Sequence, residues 1–137
     1  MRGLDRLLGA VCVVACIGAL TCAVLSIRAV LDNCAISALA ANQDRQLSAS
    51  ASDEVLFARA AFLLRLDRID DAQAWIDGVS RFVAPSQRAD LFYNLANARL
   101  RVAFTMIQQG QIDLAAANVR LAKDSYRATL RIHPQYW

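Results

Sequence analysis

The chain has 137 residues, 57% of them hydrophobic, a net charge of +3, four cysteines and one histidine. So small a positive charge argues against nucleic acid as a partner, because that role needs a clustered basic face. A single histidine, no C-x-x-C pair and no glycine-rich phosphate loop leave metal, redox and nucleotide chemistry without a motif. We therefore expect a non-catalytic protein with no cofactor and no metal.

The first element is the run LLGAVCVVACIGALTCAVLSI, Leu7 to Ile27, uncharged and bracketed by Arg6 and Arg28. As a helix rising 1.5 Å per residue, its roughly 21 residues extend about 31 Å, close to the hydrocarbon thickness of a bilayer. A cleaved signal has a shorter apolar core followed closely by a small-x-small site. Here the nearest such site, Ala38-Leu39-Ala40, lies too far past the run, and Cys16 is followed by apolar residues, unlike a lipoprotein cysteine. Residues 1–28 are expected to be an uncleaved transmembrane anchor in the inner (cytoplasmic) membrane. Arg2 and Arg6, set against Arg28 and Arg45, mildly favour a cytoplasmic N-terminus and a periplasmic C-terminal domain. Ala15, Ala19 and Ala23, with Gly18 and Cys22 beside them, form a small-residue face suited to packing against another membrane helix. Cys12, Cys16 and Cys22 read as small apolar residues of the span. Cys34, just outside it, is expected to be unpaired and buried, with a disulfide to another chain as the alternative.

Residues 29–53 read as a juxtamembrane helix over Asn33–Leu47 and a small-residue linker over Ser48–Ser52, with Asp53 as N-cap of the next helix. Beyond it, Arg65, Arg68, Arg81 and Arg88 alternate with Asp67, Asp70, Asp71, Asp77 and Asp90, the pattern of a solvated mixed-charge surface. Asp70 and Asp71 stand at a helix start, where they complement the helix dipole. His133 beside Pro134 marks a helix end.

Two segments of this region resemble each other. The first runs from Glu54 (EVLFARAAFLLRL) through Asp67 (DRIDDAQAWI), and the second from Asp90 (DLFYNLANARL) through Gly110 to Pro134. Each reads as helix, tight turn, helix, over 54–85 and 90–134. With Tyr93-Asn94-Leu95-Ala96-Asn97-Ala98 opening the second unit and Ala122, Tyr126 and Pro134 following, the pattern resembles the tetratricopeptide repeat. Ala60, Ala72 and Ile76 fill equivalent places in the first unit, and Pro85 falls one residue late. In the second unit the turn glycine comes about seven residues late, and the closing proline about seven later again. Seven residues is about two helical turns, so both helices of that hairpin are expected to be lengthened in phase. Ala60, Ala72, Ala96 and Ala122 should let the helices approach closely, with Leu63, Leu95 and Tyr126 filling the space beside them. The expected fold is thus all-α: one N-terminal transmembrane helix followed by tetratricopeptide-like hairpins in a short αα solenoid, domain 54–137. Two repeats bury little apolar area, and the chain stops at Trp137 where a third would open, so either a partner completes the stack or the chain is a fragment.

The repeat family's register implies a concave groove lined by Phe57, Ala61, Leu64 and Arg65 and by Tyr93, Asn97, Leu100 and Arg101. Asn97 and Arg101, four apart on one helix face, could hold a peptide backbone and a carboxylate together. The competing reading is that Asn94 and Asn97 make inter-helix hydrogen bonds.

A closer resemblance covers most of the chain from Asn33 onward. It is carried by an anchor, Asn33-x-x-Ile36-x-x-Leu39, Leu56-Phe57-Ala58-Arg59-Ala60, Tyr93 to Asn97, and the closing Leu121 to Trp137. This order is similar to the MxaK-type proteins of bacterial methanol-dehydrogenase gene clusters. The resemblance implies a scaffold or assembly factor in maturation of a periplasmic methanol dehydrogenase. It also implies von Willebrand-A-type proteins, a MoxR-type ATPase or dehydrogenase components as partners, besides membrane lipid. The alternative from another class is a small single-pass structural subunit of a respiratory or photosynthetic membrane complex.

Overall fold

A computed structural model describes residues 2–43 and 51–135, and side chains from residue 11 onward within the first helix. The described residues are all-helical, in the order α1 (Arg2–Ala40), α2 (Asp53–Arg65), α3 (Ile69–Val79), α4 (Pro85–Gln108) and α5 (Ile112–Ile132).

The anchor and the juxtamembrane helix are one element. Nothing between Arg28 and Ala40 is Gly or Pro, so the helix has no reason to stop at the end of the apolar run. It continues for 39 residues, about 58 Å. Val11–Ala40 is long and apolar enough to cross a membrane, and residues 11–31 are exposed along their whole length. The 30 residues of Val11–Ala40 are more than a hydrocarbon layer about 30 Å thick requires, so an α1 that crossed one would leave part of its length outside. Residues 44–47 of the expected juxtamembrane helix, and Ser48–Ser50 of the linker, lie outside the described residues.

Three helices end in the same way. At α1 the left-handed residue is Asn42 (φ 61°), at α2 Asp67 (φ 55°) and at α4 Gly110 (φ 75°). Around each, the two N–H groups past the end turn back to helix carbonyls. Asn42 and Gln43 donate to Leu39 and Ala38, Asp67 and Arg68 to Leu64 and Leu63, and Gly110 and Gln111 to Ile107 and Met106. These paired bonds satisfy carbonyls that would otherwise be orphaned, and the left-handed position selects Gly, Asn or Asp.

The helix starts differ from expectation. Ser52, not Asp53, is the N-cap of α2 and makes no side-chain capping bond. Asp53 instead accepts a hydrogen bond from the Ala84 N–H (3.3 Å), tying the start of α2 to the α3–α4 loop. Pro85 opens α4 and lengthens it N-terminally of Asp90, because proline's fixed φ and missing N–H suit the first helical turn. Asp70 and Asp71 do lie in the first turn of α3, and His133 is the C-cap of α5.

The core lies where α2, α3 and α4 meet. Leu56, Phe62, Leu63 and Leu64 of α2 pack with Ile69, Ala72 and Ile76 of α3 and Leu91, Leu95 and Ala98 of α4. Leu39 of α1 joins this cluster, so the long helix docks on the domain through its C-terminal end. The indole N–H of Trp75 donates to the Leu56 carbonyl (3.1 Å), pinning the middle of α3 to the start of α2. Among the described residues α5 packs on α4 alone, forming a hairpin of 24 and 21 residues against 13 and 11 in α2 and α3. Ala60, Ala72, Ala96 and Ala122 have no exposed surface, which is the close approach their size allows.

Candidate interaction surface

The residues assigned to the concave groove do not gather on one open surface. Phe57 is half-buried against the core cluster. Arg65 reaches to the C-terminal end of α1, donating to the Leu39 carbonyl (3.1 Å) and the Asn42 side chain (2.8 Å). Ala61 lines the same crevice with Ile36, Leu39 and Ala58, and Leu64 is buried. The inner face of α2 is thus partly covered by α1. Arg101 crosses to the α2–α3 turn, where it pairs with Asp67 (3.1 Å) and donates to the Leu64 carbonyl (3.4 Å).

Tyr93 and Asn97 face α5. The Tyr126 hydroxyl donates to Asn97 Oδ1 at 2.6 Å, and the rings of Tyr93 and Tyr126 meet edge to face with centroids 5.7 Å apart. Burial raises the Tyr126 pKa above its usual value of 10, and the neighbouring Tyr93 adds to the rise. Asn97 is therefore held in the inter-helix hydrogen bond that competed with a ligand role, while Asn94 is exposed. Although they are four residues apart, Asn97 and Arg101 reach in different directions, one to α5 and the other to α2.

On α1, Ala15, Gly18, Ala19, Cys22 and Ala23 form an exposed face, with no described element packed on it. All four cysteines are free and exposed. Cys34 is thus not buried as expected: it sits on the part of α1 that projects past Arg28 and lines a surface depression with Val30, Asn33 and Ser37. Among the described residues no group of three or more His, Cys, Asp or Glu side chains is placed to hold a metal ion.

Two features escaped the sequence reading. One is Arg99, 5% exposed between α3 and α5. Its guanidinium makes long contacts with Asp70 (3.4 Å) and Asn118 (3.5 Å), and its Nε has no protein partner. The other is an apolar flank on the α4–α5 hairpin. The Tyr93–Tyr126 contact fixes which sides of the two helices adjoin. By helical spacing Leu100, Phe104 and Ile107 continue from Tyr93 along α4, and Val119 and Ile112 continue from Tyr126 along α5. Phe104 is 66% exposed and Ile112 60%, with Ile107, Val119 and Tyr93 also exposed. Large apolar side chains left together in water mark an interaction site more often than an isolated exposed leucine does. The i, i+4, i+7 spacing of Leu100, Phe104 and Ile107 was visible in the sequence, but it equally describes a core stripe.

No protein-family model, curated protein or solved structure matches the chain.

Proposed function

We propose that this protein is a non-catalytic, membrane-anchored scaffold whose tetratricopeptide-like hairpins, a short αα solenoid, bind partner proteins beside the membrane. The observation that carries this reading is the exposed apolar flank of α4 and α5. A hairpin of a helical repeat buries one side on the preceding hairpin and offers the other to whatever packs next. Here the open side holds Phe104, Ile112 and Val119, and a helix of a partner protein would cover it as a third repeat would. The similarity to MxaK-type proteins suggests which partners: von Willebrand-A-type proteins, a MoxR-type ATPase or methanol dehydrogenase components, met in the periplasm during maturation of the enzyme. The α1 helix tethers the scaffold in the inner membrane.

The test is gentle affinity purification from native membranes of methanol-grown cells, comparing the natural chain with a Phe104→Glu/Val119→Glu variant. Both positions are exposed, so the variant should keep its helical content and melting temperature. We expect the natural chain to bring down proteins of the three classes named and the variant to lose them. A variant that retains the same proteins at the same yield rules the flank out as the binding surface. A fixed set of respiratory or photosynthetic subunits would make the protein a structural subunit instead.

A further inference from the structure

The helical domain has a defined end relative to α1, which follows from how α2 packs on it. Arg65, the last residue of α2, bonds to Leu39 and Asn42 at the end of α1, while Ile36 one turn earlier shares a crevice with Ala58 and Ala61. This order of contacts fits two helices that run in the same direction, with Ile36 about level with Ala58. Going back five residues from Ala58 to Asp53 descends about 7.5 Å, and going back eight from Ile36 to Arg28 descends about 12 Å. The start of α2 thus lies about 4–5 Å beyond the level of Arg28. The α3–α4 loop is fastened at this same level by the Asp53–Ala84 hydrogen bond. At its tip stands Phe82, 63% exposed, with the Arg81 guanidinium 4.9 Å from the ring centroid.

With the uncharged run ending at Ile27, Arg28 marks the edge of the hydrocarbon layer, and the headgroup layer reaches about 5–7 Å beyond it. We propose that the α3–α4 loop is a second membrane contact: Phe82 enters the headgroup–acyl boundary of the membrane that α1 spans, and Arg81 sits among the lipid phosphates. An aromatic ring favours that boundary, and an arginine can lay its stem along apolar surface while its head stays with phosphate. Val83 is buried beneath the loop, so the tip is fixed by the core and not free to turn away. Two contacts, α1 and the loop, hold the domain upright. The α4–α5 hairpin then points away from the membrane, and Phe104, 19 residues along α4 from Pro85, lies roughly 29 Å further out.

This inference rests on α1 crossing the membrane, and the experiment separates the two claims. Full-length Phe82→Trp and Phe104→Trp chains are reconstituted in phosphatidylcholine–phosphatidylglycerol vesicles, with and without lipids brominated near the headgroup end of the acyl chain. Both replaced rings are exposed, so tryptophan should be accommodated, and helical content is checked alongside. The natural chain, carrying Trp75 and Trp137, is subtracted. We expect roughly two-fold quenching of the added signal at position 82 and almost none at 104, because quenching by bromine acts only over a few ångströms and position 82 alone sits at the interface. Protein that floats with the vesicles but shows no quenching at 82 overturns the loop contact and leaves the span standing. Equal quenching at 82 and 104 overturns the upright placement. Protein that fails to float overturns the span and the loop contact with it.

Discussion

The Tyr126–Asn97 bond decides whether the asparagine belongs to the fold or to a ligand, and it can be weighed directly. Tyr126→Phe removes one hydroxyl and keeps the ring that meets Tyr93 edge to face. The bond is short at 2.6 Å, both residues are half-buried, and it joins two helices 29 residues apart in sequence. A net hydrogen bond of this kind contributes about 0.5–1.5 kcal/mol, and here the upper half of that range is expected because the geometry is short and partly shielded. In a domain of this size, 1 kcal/mol corresponds to about 4–8 °C in melting temperature. The assay is thermal melting of the full chain in nanodiscs, followed by helical circular dichroism, for Tyr126→Phe, Asn97→Ala and the double variant. The two single losses should exceed the double loss by about 1 kcal/mol, the signature of a direct pair. Strict additivity would refute the bond and return Asn97 to the list of free ligand groups. The pH dependence gives a second check. Burial and Tyr93 raise the Tyr126 pKa in the folded state, so the folded chain holds this proton more tightly than the unfolded one. The contribution is complete below the unfolded tyrosine value of about 10 and is lost as pH rises through the folded value. The gap between the natural chain and Tyr126→Phe should therefore narrow only on the alkaline side.

Leu95 is fully buried where α4 meets α2 and α3, so Leu95→Ala should cost about 2–5 kcal/mol in the same melt, while Leu121→Ala, at a residue 45% exposed, should cost less than about 1. Equal losses would mean that the core does not centre on α4. Gly110 holds φ 75° at the α4–α5 turn, so Gly110→Ala should cost about 1–2 kcal/mol despite the open space around it; an unchanged melting temperature would show that the turn is not left-handed. Arg99 is buried with only long contacts to Asp70 and Asn118, and Asp70 itself is exposed. Arg99→Met should therefore be neutral or stabilising by about 1 kcal/mol, and a clear loss of stability would show that those contacts outweigh the cost of burying the charge.

Much of this architecture is local and was therefore legible in the chain. An uncharged run over Leu7–Ile27 determines a helix able to cross a membrane whatever it later packs on, because its length and composition are matched to a bilayer. The alanines at 60, 72, 96 and 122 mark close helix contacts by their size, and Gly110 marks a turn by its freedom at positive φ. Element ends were harder: Asp53 has the chemistry of an N-cap, but the Ala84 N–H across the domain takes its carboxylate. The candidate groove shows the same limit. Asn97 and Arg101 share a helix face by spacing, yet partners on α5 and α2, distant in sequence, divide them. Periodicity also cannot separate a buried stripe from an exposed one, and Leu100, Phe104 and Ile107 are a candidate surface only because the folded domain leaves Phe104 and Ile107 in water beside α5. The sequence by itself determined which segments are helical and which of them suits a membrane, since those properties depend on neighbours within a few turns. Only the tertiary structure decided that α1 docks on α2 through its C-terminal end, that α5 and α2 divide Asn97 from Arg101, and which apolar residues stay in water. Those depend on contacts between residues far apart in the chain, and no local pattern encodes them.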